Sequence, residues 1–271
     1  MCDSCGCSVN PVNGRNGVRP HEGPGGRQGP DGHDASAGVE VLRNLLAAND
    51  RVARHNREHF DAHGVLAVNL MSSPGAGKTA LLEATITALG GRYRMAVIEG
   101  DLETDHDAAR IRAKGVPAVQ ITTGGACHLD ATLVHQALHE LPIAGLDLVF
   151  IENVGNLVCP ASFDLGQHLN VTLLSVTEGD DKPAKYPVIF RASDLVVLSK
   201  TDLLFCLEDF DPRRAEAALA ALGGAIPMIC TAARRAPSID AWLAWLEREL
   251  AAPRAVSPAA RPLIARTGAG A

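Results

Sequence analysis

Two groups of residues in this 271-residue sequence have types and spacings that can do chemistry. The first is Ser72-Ser73-Pro74-Gly75-Ala76-Gly77-Lys78-Thr79. Its glycines let the backbone N–H groups from Gly75 through Ala76, Gly77, Lys78 and Thr79, with Ala80 next in line, wrap a polyphosphate where a helix N-terminus favours anions. Lys78 would reach the terminal phosphates, and the Thr79 hydroxyl would bind Mg²⁺. Ser72 stands where this phosphate-binding pattern begins with glycine. The second group is thiol and imidazole: Cys2, Cys5 and Cys7 crowd the N-terminus, Cys127 precedes His128, and Cys159 follows thirty-two residues later.

Other residues would complete a nucleotide site. A carboxylate at a strand's C-terminal end is placed to hold Mg²⁺ directly or through water, which suits Asp101 after Ile98-Glu99-Gly100. Glu152-Asn153-Val154-Gly155 is a variant of the D-x-x-G pattern that senses a γ-phosphate, with Glu152 and Gly155 at its fixed positions. Asp101 and Glu152 can equally serve as helix or turn caps. Ser199-Lys200-Thr201-Asp202 resembles the N-K-x-D guanine signature: Asp202 would accept from guanine N1–H and N2–H₂, a donor pair adenine lacks. Lys200 would lie over the base, and Ser199 replaces the usual Asn. Thr231-Ala232 falls where a small backbone-contacting loop is expected.

Thiols clustered in a reducing compartment more often bind metal than form structural disulfides. The spacing C-x-x-C-x-C at Cys2, Cys5 and Cys7 suits a soft or borderline metal held through thiolates. Removal of Met1 would free an α-amino group as a fourth donor, which favours square-planar Ni²⁺. Cys127, His128 and Cys159 offer three ligands in loops after strands, so the fourth would come from water or a partner subunit. Because Cys159 follows the γ-phosphate-sensing loop, metal affinity and nucleotide state should be coupled.

The elements that must position these residues are legible as alternating patterns. Apolar runs at 65–71, 94–99, 118–122, 147–152, 170–176, 194–199 and 225–230 predict strands. Helical patterns fall at 80–89, 105–114, 128–140, 212–222 and 237–249. Near-continuous apolar strands separated by helices predict an α/β fold, a mostly parallel sheet with helices on both faces. Its ligands bind beyond the strands' carboxyl ends. Val39, Leu42, Leu45, Leu46 and Val52 recur at helical spacing and predict a further helix packed on this domain. His55, His59 and His63 lie at i, i+4 and i+8 of that helix; a polar surface face explains them most simply, a metal role being the other reading.

The domain reading is a flexible tail over 1–36 carrying the cysteine motif, a P-loop domain over 37–250 and a frayed tail over 251–271. A hydrophobic content of 46% supports a sizeable core. The net charge of −6 gives no hint of nucleic acid or an anionic membrane. With neither a membrane-length apolar run nor a signal-peptide core, the expected location is cytoplasmic.

Together these motifs resemble the HypB family of hydrogenase nickel-incorporation GTPases, within the P-loop class that includes the urease nickel GTPase. The matching pieces are the cysteine motif, Ser72 to Thr79, Glu99-Gly-Asp101-Leu-Glu-Thr-Asp105, Gly124-Gly-Ala-Cys127-His128-Leu-Asp130, Glu152 to Pro160 and Thr177-Glu-Gly-Asp-Asp-Lys-Pro183. The resemblance covers about residues 38–250 and the extreme N-terminus. It implies slow, Mg²⁺-dependent hydrolysis of GTP to GDP, a nucleotide-dependent homodimer, and nickel delivery to the large-subunit precursor of a [NiFe] hydrogenase with a HypA-type metallochaperone as partner. It places a high-affinity nickel site on Cys2, Cys5 and Cys7. A second site, for nickel or zinc at a dimer interface, falls on Cys127, His128 and Cys159. A nickel carrier or store that uses nucleotide only as a clamp is one alternative, though the 8–36 segment is poor in histidine. A urease-type GTPase is another, against which the N-terminal cysteines argue.

Overall fold

The computed structural model describes residues 34–101, 105–234 and 238–252. Cys2, Cys5 and Cys7, and the tail from 253, lie outside them. Helix α1 spans Asp34–His63. The chain divides into two units between Ala48 and Asn49, inside this helix. In the first half Leu45, an expected packing position, is exposed. In the second half the buried positions are Asn49, Ala53, Asn56 and Phe60, spaced as one helical stripe. Two of the four are polar, which hides the stripe from a hydrophobicity reading. Their amides make burial affordable: Asn49 donates to Asp164 O (2.8 Å), and Asn56 to Ala131 O (2.8 Å) and Leu165 O (3.0 Å).

The second unit is built on seven strands: β1 Leu66–Ser72, β2 Met95–Asp101, β3 Ala118–Thr122, β4 Leu148–Glu152, β5 Leu169–Ser175, β6 Leu195–Ser199 and β7 Met228–Cys230. They form one sheet in the order β3-β2-β4-β1-β5-β6-β7, every pair parallel. The expected strand over 225–230 shrinks to three residues. Pro227 has no N–H for the ladder, although its carbonyl still accepts from Val196 N at 2.9 Å. The helices are α2 Lys78–Leu89, α3 His106–Arg112, α4 Ala131–Leu138, α5 Lys182–Lys185, α6 Pro187–Arg191, α7 Pro212–Ala220 and α8 Asp240–Ala251.

Strand alternation sends successive side chains to opposite faces, and both faces are apolar. Val68, Val97, Leu148 and Phe150 pack with Leu82 and Ile86 of α2 and Trp242 of α8. Ala96, Ile98, Val149 and Ile151 pack with Phe60 of α1 and Val134 and Leu138 of α4. A third cluster joins β5 and β6 to Ile189, Phe190 and Leu219. The same alternation points Glu99 and Glu152, the next residues of their series, toward the α2 face.

Candidate functional site

At the carboxyl end of the sheet a cavity of about 750 Å³ is lined by residues 74–81, by the ends of β2, β4 and β6, and by Thr231. The loop between β1 and α2 turns through Gly75 (φ 74°) and Gly77 (φ 104°), backbone conformations that favour glycine. Lys78 and Thr79 open α2 and are buried. The Lys78 ammonium donates to Ser72 Oγ at 3.1 Å and lies 4.0 Å from Glu152 Oε1. Ser72, in the place of a glycine, thus supplies a hydroxyl under the lysine. The Thr79 hydroxyl donates to Glu152 Oε1 at 2.9 Å.

Two buried acids meet beside Thr79 because register puts them there. Glu99 and Glu152 are direct partners across β2 and β4, and paired residues of parallel strands share a face. Glu99, Asp107 and Glu152 each bring a carboxylate oxygen within 4.8 Å of the others. Burial, then the Glu152 charge and a hydrogen bond to it, push the Glu99 carboxyl up to about 11. Burial raises Glu152 as well, while Lys78 opposes the shift. Glu99 Oε2 and Glu152 Oε2 are buried without a hydrogen-bond partner. Orphaned hard oxygens beside a threonine hydroxyl fit Mg²⁺, which takes carboxylates and keeps waters and phosphate oxygens as its other ligands. Asp101, half-buried at the end of β2, lines the same cavity.

The opposite end of the cavity carries the guanine-type loop. Ser199, closing β6, donates its hydroxyl to Ala76 O at 2.7 Å and so ties this loop to the phosphate loop. The residue that departs from the N-K-x-D pattern therefore keeps a structural bond. Lys200 adopts the left-handed conformation (φ 56°), rare for a side-chain-bearing residue, which turns the chain into the 3₁₀ segment Thr201–Cys206. Thr201 bonds Thr231 O through both its N–H (3.1 Å) and its hydroxyl (3.0 Å), fixing the loop after β7. Lys200, Asp202 and Thr231 line one wall.

Cys127, His128 and Cys159 converge as the sequence suggested. Their ligand atoms lie within 4.8 Å of one another, with the two sulfurs 2.7 Å apart and Cys127 Sγ 3.6 Å from His128 Nδ1. Two thiolates on one ion with bonds of about 2.3 Å stand roughly 3.3–3.8 Å apart, so metal binding would spread them. His128 stacks on Phe163 with centroids 3.9 Å apart, and burial lowers its pKa against the pull of Asp130. Its neutral imidazole is the form that binds metal. Asp130 caps α4 by accepting from Leu133 N at 2.8 Å, which anchors the loop.

Asn153, a variable position of the D-x-x-G-like motif, joins the two sites. It follows Glu152 and is buried; its Oδ1 accepts from Leu129 N (3.2 Å) and Val154 N (3.0 Å). Its amide donates to Asn69 Oδ1 (3.3 Å) on β1. One side chain therefore ties the loop leaving β4 to the residue after His128. A Cβ on Gly155 would come within 2.8 Å of Pro74 Cα, so this loop also rests directly on the phosphate loop. Of the expected site residues, Gly75 to Ala80, Asp101, Glu152, Gly155, Lys200 and Asp202 line the one cavity, and Cys127, His128 and Cys159 form the second group. Sequence reasoning assigned no role to Glu99, Asp107 or Asn153; the parallel register of β2 and β4 was the missing signal for the first.

The model of the CobW/HypB/UreG nucleotide-binding domain matches residues 66–226. The hydrogenase maturation factor HypB of Azotobacter vinelandii is 52% identical over 228 residues, covering 84% of this chain and 75% of that protein. That of Escherichia coli K12 is 49% identical over 211 residues, covering 78% and 72%. Among solved structures, HypB from Helicobacter pylori in complex with nickel superposes with a TM-score of 0.72 at 38% identity, covering 75% of this chain and 95% of that one. HypB from Archaeoglobus fulgidus gives 0.71 at 38% identity, covering 76% and 100%.

Proposed function

Because this chain belongs to the CobW/HypB/UreG family, among its HypB members, we propose that it is a GTPase that carries nickel toward the large-subunit precursor of a [NiFe] hydrogenase, nucleotide state deciding when the metal is released. The observation that carries this reading is the single loop Glu152–Cys159, which begins in the nucleotide cavity and ends in the cysteine–histidine group. A γ-phosphate that displaced the start of the loop would strain its end. In this account nickel is cargo, held in a high-affinity site by Cys2, Cys5 and Cys7 and in a second site by Cys127, His128 and Cys159, which zinc could also occupy. A homodimer and a HypA-type metallochaperone are the partners of this scheme.

In the nucleotide cavity, the loop amides from Gly75 to Ala80 would hold the phosphates. Lys78 would leave its Ser72 contact to meet the β- and γ-phosphate oxygens. Thr79 would turn its hydroxyl from Glu152 toward Mg²⁺, with Glu99, Asp101, Asp107 and Glu152 as nearby carboxylates. When bound, Mg²⁺ supplies neutralisation of charge on the transferring phosphoryl group. Asp202 would select guanine. The test is Asp202→Asn: its amide should donate to the xanthine 2-carbonyl, and preference should move from GTP toward XTP in binding and turnover. Unchanged GTP selectivity would remove Asp202, and the guanine assignment with it.

A further inference from the structure

Five histidines from two elements meet on the second unit: His55, His59 and His63 of α1, and His135 on α4 with His139 at its C-cap. Ring centroids are 5.1 Å apart for His55 and His135, 4.8 Å for His59 and His63, and 4.7 Å for His135 and His139. A polar surface stripe on α1, the simplest reading of its sequence, does not account for two more imidazoles arriving from another helix.

The hydrogen bonds fix which nitrogen of His135 carries the lone pair. Asn56 is fully buried and uses both amide hydrogens on carbonyls, Ala131 O and Leu165 O. Its Oδ1 therefore accepts, and His135 Nδ1, 2.9 Å away, must carry the proton. That leaves the His135 Nε2 lone pair to accept from His139 Nε2–H, 3.2 Å distant, a proton that a metal ion would displace. A metal-ligating histidine commonly donates its other N–H to a carbonyl or carboxylate oxygen, and Asn56 supplies the equivalent. The spacing also fits. Two nitrogens bound to one ion at ~2.05 Å stand about 2.9 Å apart in cis square-planar or octahedral geometry and about 3.3 Å apart in tetrahedral geometry. The observed 3.2 Å lies between these.

We propose that His135 Nε2 and His139 Nε2, one helical turn apart, chelate a borderline divalent ion such as Ni²⁺ or Zn²⁺, the ion replacing the proton between them and water completing its shell. The two rings are neutral-donor ligands of the kind these ions accept, and His55 and His59 lie beside them. Burial and the neighbouring imidazoles keep His59 and His135 below the usual histidine pKa, so both rings are uncharged near neutral pH. The site contains no thiolate and shares no residue with Cys127, His128 and Cys159. It does not depend on the nucleotide assignment.

Alkylation of the cysteines separates the two chemistries. The iodoacetamide-treated full-length protein, dialysed against Ni²⁺ and separately against Zn²⁺, should still bind one equivalent of metal. His139→Ala, at an exposed position, should weaken that equivalent roughly tenfold or more, since even loss of an outer-shell partner costs 10–100-fold. On untreated protein, the same ions should protect His135 and His139 from carbethoxylation by diethyl pyrocarbonate, with mass spectrometry locating the modified rings. No metal on the alkylated protein, equal affinity in His139→Ala, or no protection of His135 and His139 at saturating metal would each overturn the proposal.

Discussion

Replacing Glu99 by Gln tests the electrostatics of the nucleotide cavity most sharply. Glu99 is 2% exposed and shares its pocket with Glu152, at 3%, while Lys78 is the one buried cation beside them among the described residues. One ammonium cannot balance two buried carboxylates, so the nucleotide-free protein keeps a proton on Glu99. Its folded pKa lies above the unfolded value, and the folded state therefore binds this proton more tightly. The resulting stability is complete below pH ~4.5 and is lost as pH rises toward about 11, at up to ~1.4 kcal/mol per pH unit. Between pH 6.5 and 8.5 the wild-type protein, free of nucleotide and metal, should lose on the order of 2 kcal/mol more than Glu99→Gln. At about 2–4 °C per kcal/mol for a domain of this size, the melting curves should diverge by roughly 4–8 °C. The assay is thermal unfolding at both pH values in EDTA, paired with calorimetry of Mg²⁺–GTP binding in buffers of different ionisation enthalpy. Mg²⁺ should displace the proton from the wild-type pair, and Glu99→Gln should abolish that release. Parallel melting curves with no proton release would refute the argument.

Three further variants have expected outcomes. Asn153→Ala should cost about 2–4 kcal/mol of stability by leaving Leu129 N–H and Asn69 Oδ1 without their buried partner, read by urea unfolding. The same variant should bring the nickel affinities of the GDP and GTP-analogue forms together, a shift measured by competition with a chromophoric chelator. Gly155→Ala should weaken Mg²⁺–GTP about tenfold, because its methyl group would displace the Pro74 backbone; titration with a fluorescent GTP analogue reads it. Ser199→Ala should weaken GTP through the lost tie to Ala76 O while leaving guanine selectivity intact, as competition by GTP and ATP would register.

Residues that act through local spacing were legible in the sequence. The phosphate loop needs Gly75 and Gly77 at fixed distances from Lys78, and the strands announce themselves because both sheet faces are covered. Asp202 and Cys159 could be placed because each follows a strand. What escaped notice depends on pairing across the chain. Glu99 and Glu152 are fifty-three residues apart and meet only through the β2–β4 register. Asn49 and Asn56 look like surface positions until their carbonyl partners, Asp164, Ala131 and Leu165, are known. His55 and His135 likewise have no local signal, being joined by the approach of α1 and α4.

The central claim is that the loop from Glu152 to Cys159 makes metal binding depend on nucleotide. Nickel affinity of the Cys127–His128–Cys159 group should therefore be measured on full-length protein carrying Cys2→Ser, Cys5→Ser and Cys7→Ser, saturated first with Mg²⁺–GDP and then with a non-hydrolysable GTP analogue. A coupling of about 1–3 kcal/mol, or roughly 5–150-fold in affinity, is expected between the two states. Equal affinities would contradict the account.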